Sequence, residues 1–227
     1  MKPIIIANWK MNPSNSKEAF VLAQKIMKGV KGIGVKVVLC PPFVFIPQLL
    51  SRGNVEIGAQ DCSWQEKGAL TGEVSPKHLV SIGCSFVILG HSERKKYLAE
   101  TLGMTKAKVE AALRAGLSVV LCVENVRELQ MIMKKIKRVK NLLVVFEPSS
   151  AISTQGGKRI SPKNIAVMVQ AMKKIVGKNI PILYGGSVNS KNISEIMSKG
   201  MVQGVLAGAA SLNSREFISL ARNAVLV

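Results

Sequence analysis

Eight short apolar runs recur along this chain of 227 residues, at 3–7, 35–40, 55–59, 86–89, 118–122, 142–146, 181–184 and 204–207. Most are continuous rather than alternating, as in Ile4-Ile5-Ile6-Ala7 and Leu142-Leu143-Val144-Val145-Phe146. A strand of that kind has no polar face to turn to water, so it must be buried on both sides, as in a parallel sheet covered by helices. Helical patterns lie between most of the runs. Residues 16–29 place Ala19, Phe20, Leu22, Ala23, Ile26 and Met27 at helical spacing. Residues 105–115 are rich in Ala, Lys and Glu, with Gly116 as a C-terminal stop. Ser161-Pro162 supplies an N-cap and a first-turn proline for a helix to about 176. Further helices are predicted over 189–199, closing at Gly200, and over 213–223. Strands and helices alternating without a long linker predict an α/β fold: a single-domain (β/α)8 barrel over 1–227, near the lower size limit of about 200 residues. A doubly wound open sheet is the alternative, but no G-x-G-x-x-G opens the first unit.

Aromatic residues make up only 4% of the chain, so Val, Ile, Leu and Ala must carry the packing. No apolar stretch approaches the roughly 20 residues that span a bilayer. The first run is too short for a signal sequence and is stopped by Asn8 and Lys10. A cytoplasmic protein with no membrane partner is expected. Cys40, Cys62, Cys84 and Cys122 are far apart, and His78 and His91 are the only histidines, so neither a redox pair nor a metal centre is indicated. The net charge of +19 favours capture of an anionic substrate or weak, nonspecific attraction to nucleic acid. Its densest stretch, 134–140, continues a segment in which Met131, Ile132, Met133, Ile136 and Val139 interleave with basic residues, the pattern of an amphipathic helix. No aromatic residue there could stack on a base, so specific nucleic-acid recognition is not expected.

Four of the runs end in polar clusters, and in parallel sheets groups beyond the carboxyl ends of several strands converge on one ligand. Glu147 follows such a run; it is either an ordinary loop carboxylate or a desolvated one whose pKa is raised toward that of a useful base. His91 precedes Ser92-Glu93-Arg94, a helix start whose N–H groups and dipole favour a neutral ring; it is a cap, a hydrogen-bond donor to a carbonyl, or both. Lys10 lies two residues beyond Asn8, so on an extended backbone both side chains point the same way. Asn8 can donate to an oxygen, Lys10 supplies fixed charge, and Glu93 is its candidate ion-pair partner, unless Lys10 simply faces solvent. Gly185-Gly186-Ser187 and the segment 204–211 are small-residue turns whose backbone N–H groups can approach a phosphate. Their place after the last two strands matches the phosphate pocket common in barrels.

These clusters, with Ala59-Gln60-Asp61-Cys62, Gly68-Ala69-Leu70-Thr71-Gly72-Glu73 and Ala207-Gly208-Ala209-Ala210-Ser211-Leu212, resemble the triosephosphate isomerase family over nearly the full length. The resemblance implies interconversion of dihydroxyacetone phosphate and D-glyceraldehyde 3-phosphate through an enediolate, with no cofactor and no metal. Glu147 would be the base and neutral His91 the electrophile, with Asn8 assisting. Lys10 would offset negative charge, and Glu93 would anchor it. Ser153, Ser187, Gly208 and Ala209 fall at phosphate-binding positions. The segment from Gln60 to Glu73 implies a homodimer, with Thr71 near the partner's active site; a surface Ω-loop is the alternative. Arg94 is expected to pair with a carboxylate.

Three departures stand out. After Glu147-Pro148 the family pattern has an apolar residue and Trp, then Ala-Ile-Gly-Thr; here the chain reads Ser149-Ser150-Ala151-Ile152-Ser153-Thr154. The hinge Trp is missing and Ser153 stands for a phosphate-contacting glycine. A closing lid excludes water from a reactive intermediate, so a lid less ordered when open is expected. Ala209 replaces a second phosphate glycine, and Cys122-Val123-Glu124-Asn125 replaces Cys-Ile-Gly-Glu. The altered lid motivates the alternative of a catalytically impaired phosphate-binding barrel. Another sugar-phosphate isomerase on the same fold is a third reading.

Overall fold

The computed structural model describes residues 2–50, 55–136, 140–148 and 160–226. Eight parallel strands close into a barrel in sequence order: β1 (Ile4–Asn8), β2 (Lys36–Cys40), β3 (Glu56–Ala59), β4 (Phe86–Leu89), β5 (Ser118–Val123), β6 (Leu142–Phe146), β7 (Ile182–Tyr184) and β8 (Gly204–Ala207). β1 pairs with both β2 and β8, which closes the ring. The expected (β/α)8 barrel is therefore the observed fold, and each strand lies within two residues of its predicted span at either end.

The continuous apolar runs divide by parity into two cores. Ile4, Ile6, Val38, Cys40, Phe86, Ile88, Val120, Cys122, Leu143, Val145, Leu183 and Leu206 fill the barrel. The residues between them, such as Ile5, Ala7, Val37, Leu39, Val87 and Val144, face outward and pack against the helices. Burial on both faces is what made the runs continuous rather than alternating. The covering layer includes α1 (Ser16–Val30), α3 (Pro76–Ser81), α4 (Ser92–Leu98), α5 (Leu102–Ala115), α6 (Val126–Met133), α7 (Pro162–Val176), α8 (Ile193–Met197) and α9 (Ser214–Asn223), with the short α2 (Ile46–Leu49) after β2. Side-chain caps start most of them: Asn15, Ser75, Thr101, Asn125, Ser161 and Asn213 each accept a first-turn N–H.

Two helical expectations need correction. The helix expected to run on through the basic stretch is not continued over 134–136, and residues 137–139 lie outside the described residues. α6 stops at Met133, Lys134 leaves helical torsions, and Lys135 adopts φ +69°. The Lys134 carbonyl instead accepts from Lys106 Nζ at 2.6 Å. The helix predicted from 189 begins only at Ile193, because Asn189 and Asn192 fold their side chains onto local N–H groups and make a turn. Among the described residues, no helix is long and apolar enough to cross a membrane. All four cysteines are free and buried.

Candidate active site

The parity that fills the barrel also selects what projects into its mouth. One step beyond the inward pairs Ile4/Ile6, Phe86/Ile88 and Leu143/Val145, and beyond Leu183 and Leu206, come Asn8, Gly90, Glu147, Gly185 and Gly208. Strand register thus brings a carboxamide, a carboxylate and three glycines to one end of the barrel. Two of those glycines leave room for their neighbours. A Cβ on Gly185 would lie 2.6 Å from Val145 Cγ1 and 3.4 Å from Glu147 Cβ, so only glycine lets β7 pass beneath the carboxylate. Gly90 adopts φ +70°, turning the chain so that His91 can cap α4.

His91 accepts the Glu93 N–H on Nδ1 at 3.2 Å, so that nitrogen carries no proton. Its Nε2–H then donates to Glu147 Oε1 at 3.0 Å. The other carboxylate oxygen accepts the Ser92 N–H at 3.1 Å. His91 is therefore both the helix cap and a hydrogen-bond partner of Glu147. The expected direction for Glu147 is overturned. Burial pushes its carboxyl up, but His91, the Ser92 N–H and Lys10 outweigh burial and hold it below the usual carboxylate range.

Lys10 also departs from expectation. Its backbone is not extended but takes φ +53°. Asn8 Oδ1 accepts the Lys10 N–H at 3.0 Å, and Gln60 Nε2 donates to the Lys10 carbonyl at 2.8 Å and to the Cys40 carbonyl at 2.9 Å. With its oxygen so engaged, Asn8 has its amide NH2 left to offer, a donor as expected. Lys10 Nζ pairs with Glu93 Oε1 at 2.5 Å, the candidate ion-pair partner named from the sequence.

Lys10, His91 and Glu147 share a cavity of about 240 Å³ with Gly185, Gly186, Ser187, Asn189, Gly208, Ala209 and Glu216. That is smaller than drug-sized pockets of roughly 300–1,000 Å³ and suits a small metabolite. The cavity combines the Glu147 carboxylate, the His91 imidazole and Lys10 with the small-residue turns at 185–187 and 208–210, and Glu216 adds a second carboxylate. Asn8 and Glu93 stand behind Lys10. Ser153 and the altered lid segment lie outside the described residues. A donor, a proton acceptor, a fixed cation and a peptide cradle together can move a proton on a small anionic ligand.

Known proteins bear on this arrangement. A family model described as triosephosphate isomerase matches residues 3–224. The chain belongs to the triosephosphate isomerase family. Triosephosphate isomerases of Dehalococcoides mccartyi and Hahella chejuensis are each 38% identical to it, over 100% and 99% of this chain and 98% and 99% of theirs. That of Thermoanaerobacter pseudethanolicus is 36% identical over 96% of this chain and 98% of its own. The resemblance drawn from the motifs is therefore borne out at family level.

Beside the triosephosphate isomerase motifs sits a buried ionic group that sequence reasoning only touched through Arg94. Lys108, fully buried on α5, donates to Asp61 at 2.8 and 3.0 Å and to Glu100 at 2.7 Å. Arg94 donates to Glu100 at 2.6 Å and pairs with Asp61 at 2.9 Å, and Thr105 donates to Glu100 at 3.1 Å. This group ties α4, which carries the capped His91, to α5 and to the segment after β3. Burial pushes Asp61 up to about 6, against Lys108 and Arg94. Burial also pushes Glu100 up, but Lys108 and Arg94 hold it below its ordinary value. The signal in the sequence was a lysine on an apolar stripe with Thr105, Val109 and Ala112.

Proposed function

We propose that this member of the triosephosphate isomerase family interconverts dihydroxyacetone phosphate and D-glyceraldehyde 3-phosphate, without metal or cofactor. The carrying observation is the 3.0 Å contact between His91 Nε2 and Glu147 in a cavity that also holds Lys10 and the small-residue turns around Ser187 and Gly208. Glu147 removes the proton on the carbon beside the substrate carbonyl, and the electron pair moves into a C=C bond of an enediolate. His91 donates its Nε2–H to the carbonyl oxygen and shuttles the proton between the two oxygens; Glu147 returns its proton to the neighbouring carbon. Lys10 and the Asn8 amide stabilise the charge that develops on oxygen. The phosphate sits on the Ser187, Gly208 and Ala209 peptides, with Ser153 contributing from the lid.

The protein is further proposed to act as a cytoplasmic homodimer. Four free, buried cysteines suit a reducing compartment. In support of the dimer, the segment after Gln60 is closed at its base by Ser63 N–H to the Val74 carbonyl (2.8 Å) and Ser75 Oγ to the Glu66 carbonyl (2.6 Å), and it exposes Thr71. Met11 and Val44, on the connections after β1 and β2, and Tyr97, on α4, are exposed, as an apolar interface requires.

A coupled assay with glyceraldehyde 3-phosphate tests the reaction. Glu147→Asp withdraws the carboxylate by about one carbon–carbon bond, roughly 1.5 Å, and kcat should fall about 100-fold. No turnover by the unsubstituted protein, or full activity of the Asp variant, would overturn the assignment.

A further inference from the structure

The cavity contains a carboxylate that the proposed chemistry does not use. Glu216 lies in the first turn of α9, three residues after its cap Asn213. A glutamate there commonly folds back onto the cap's own N–H. Here it reaches out of the helix instead. Glu216 Oε1 accepts the Ser190 N–H at 2.6 Å, and Oε2 accepts the Ser190 hydroxyl at 3.0 Å. From the other end of α9, Asn223 Nδ2 donates to the Ser190 carbonyl at 2.8 Å. Every polar group of Ser190 is thus held by one helix.

The location of Ser190 gives this grip a consequence. It lies three residues beyond Ser187, in the turn that follows β7, and α9 follows directly on the turn that carries Gly208 and Ala209. These two turns are the two halves of the peptide cradle. The strands pair only briefly: β7 is three residues long and meets β8 at Tyr184–Val205, and the Gln203 bonds to Ile182 lie at the end of β7 away from the cradle. Each half is braced internally: Asn192 Nδ2 donates to the Ser187 carbonyl at 2.9 Å, and Ser211 Oγ to the Gly208 carbonyl at 2.6 Å. Among the described contacts Glu216 ties the two halves at the cavity itself, with Asn223 holding Ser190 from the far end of α9.

We propose that Glu216 is a positioning residue of the phosphate cradle, setting through Ser190 the separation of the Ser187 peptide from the Gly208 and Ala209 peptides. The inference rests on the proposed reading of the cavity as a triose-phosphate site. Its carboxylate lines a pocket meant for an anion, which on charge alone is unfavourable; the two short hydrogen bonds and the α9 N-terminus offset that. The geometry of the bonds, not the negative charge, is what the cradle needs.

The test compares Glu216→Ala, Glu216→Gln and Ser190→Ala with the unsubstituted protein. Inorganic phosphate binding is measured by titration calorimetry, and kcat and KM for glyceraldehyde 3-phosphate by the coupled assay. Glutamine keeps both contacts, since its amide oxygen accepts the Ser190 N–H and its NH2 donates to the hydroxyl; both constants should stay within about threefold. Alanine loses both, so the phosphate Kd and KM should rise about tenfold, with kcat falling less than KM rises. Ser190→Ala, which keeps the backbone contact, should give a rise of about threefold and serves if Glu216→Ala does not fold. Equal weakening by Gln and Ala would mean that charge or fold is responsible, and unchanged constants in Glu216→Ala would remove the tie; either overturns the inference. A protein that binds phosphate in this pattern but does not isomerise leaves the inference standing and defeats the proposed reaction. Turnover with constants indifferent to Glu216 does the reverse.

Discussion

Lys108→Met isolates the contribution of the buried ionic group beneath α4. The substitution keeps a long side chain of similar reach on α5 but removes the cation that contacts both Asp61 and Glu100. Breaking a buried ion pair by deleting one partner typically costs 3–5 kcal/mol, because the remaining charge is stranded. For a chain of this size, at about 2–4 °C per kcal/mol, that corresponds to a fall in Tm of about 6–20 °C. The loss must depend on pH. Burial already holds Asp61 at about 6, above its unfolded value, so at pH 5 Asp61 is largely protonated and Glu100, left with Arg94 alone, is the one carboxylate that feels the loss of Lys108. At pH 8 both carboxylates are charged. A carboxyl whose folded pKa lies above its unfolded one contributes stability below the unfolded pKa and loses it as pH rises through the folded pKa. Removing Lys108 takes a stabilising cation from both carboxylates, raising Asp61 further and Glu100 from its lowered value, so the deficit should be smaller at pH 5 than at pH 8 by about 1–2 kcal/mol. Calorimetric melts of both proteins at pH 5, 6.5 and 8 make the comparison. A loss below about 2 °C, or one of equal size at every pH, would refute the reasoning, because either result means that the stranded charges are solvated or rearranged.

Two further outcomes follow from the site and its surroundings. In the ligand-free protein, Glu147 should remain ionised at pH 5, since its carboxyl is held below the ordinary value; a carbon-13 titration of labelled glutamate that placed its midpoint above 5 would contradict the described contacts. Light scattering should give a mass near twice 24.5 kDa, and Met11→Asp, which charges a residue 94% exposed in the single chain, should shift the mass toward the monomer; an unchanged mass for that variant would exclude Met11 from the interface.

The strands were legible because burial on both faces leaves a mark that survives without tertiary information: several Val, Ile or Leu in succession, ended by a polar cluster. The inward parity of Asn8 and Glu147 follows from the same runs. What escaped depended on partners distant in sequence or on local side-chain competition. α6 ends where Lys106, 28 residues away, donates to a carbonyl that would otherwise continue the helix. α8 starts late because two asparagines satisfy the backbone before the helix can. Lys10 is pinned in a left-handed turn by Gln60, 50 residues on. Glu216 reads in the sequence as half of a capping box, and only the fold shows that its oxygens are spent on Ser190. The raised pKa expected for Glu147 considered burial alone. It omitted the donors that the helix start at Ser92 and the capped His91 bring to the same carboxylate.

Those donors bear on how a carboxylate held as a weak base can do the work proposed for it. His91 has one proton to give, on Nε2, because Nδ1 is occupied by the Glu93 N–H. In the ligand-free site that proton goes to Glu147. A substrate carbonyl that takes it therefore removes a donor from the carboxylate, and burial, the largest single influence on Glu147, then counts for more. Polarising the carbonyl and strengthening the base become one event, driven by the transfer of a single hydrogen bond. The same two donors stabilise the carboxylate itself, since a buried one without them would be destabilising. On the proposed reading, discrimination for a carbonyl compound and activation of the base thus share one atom, His91 Nε2.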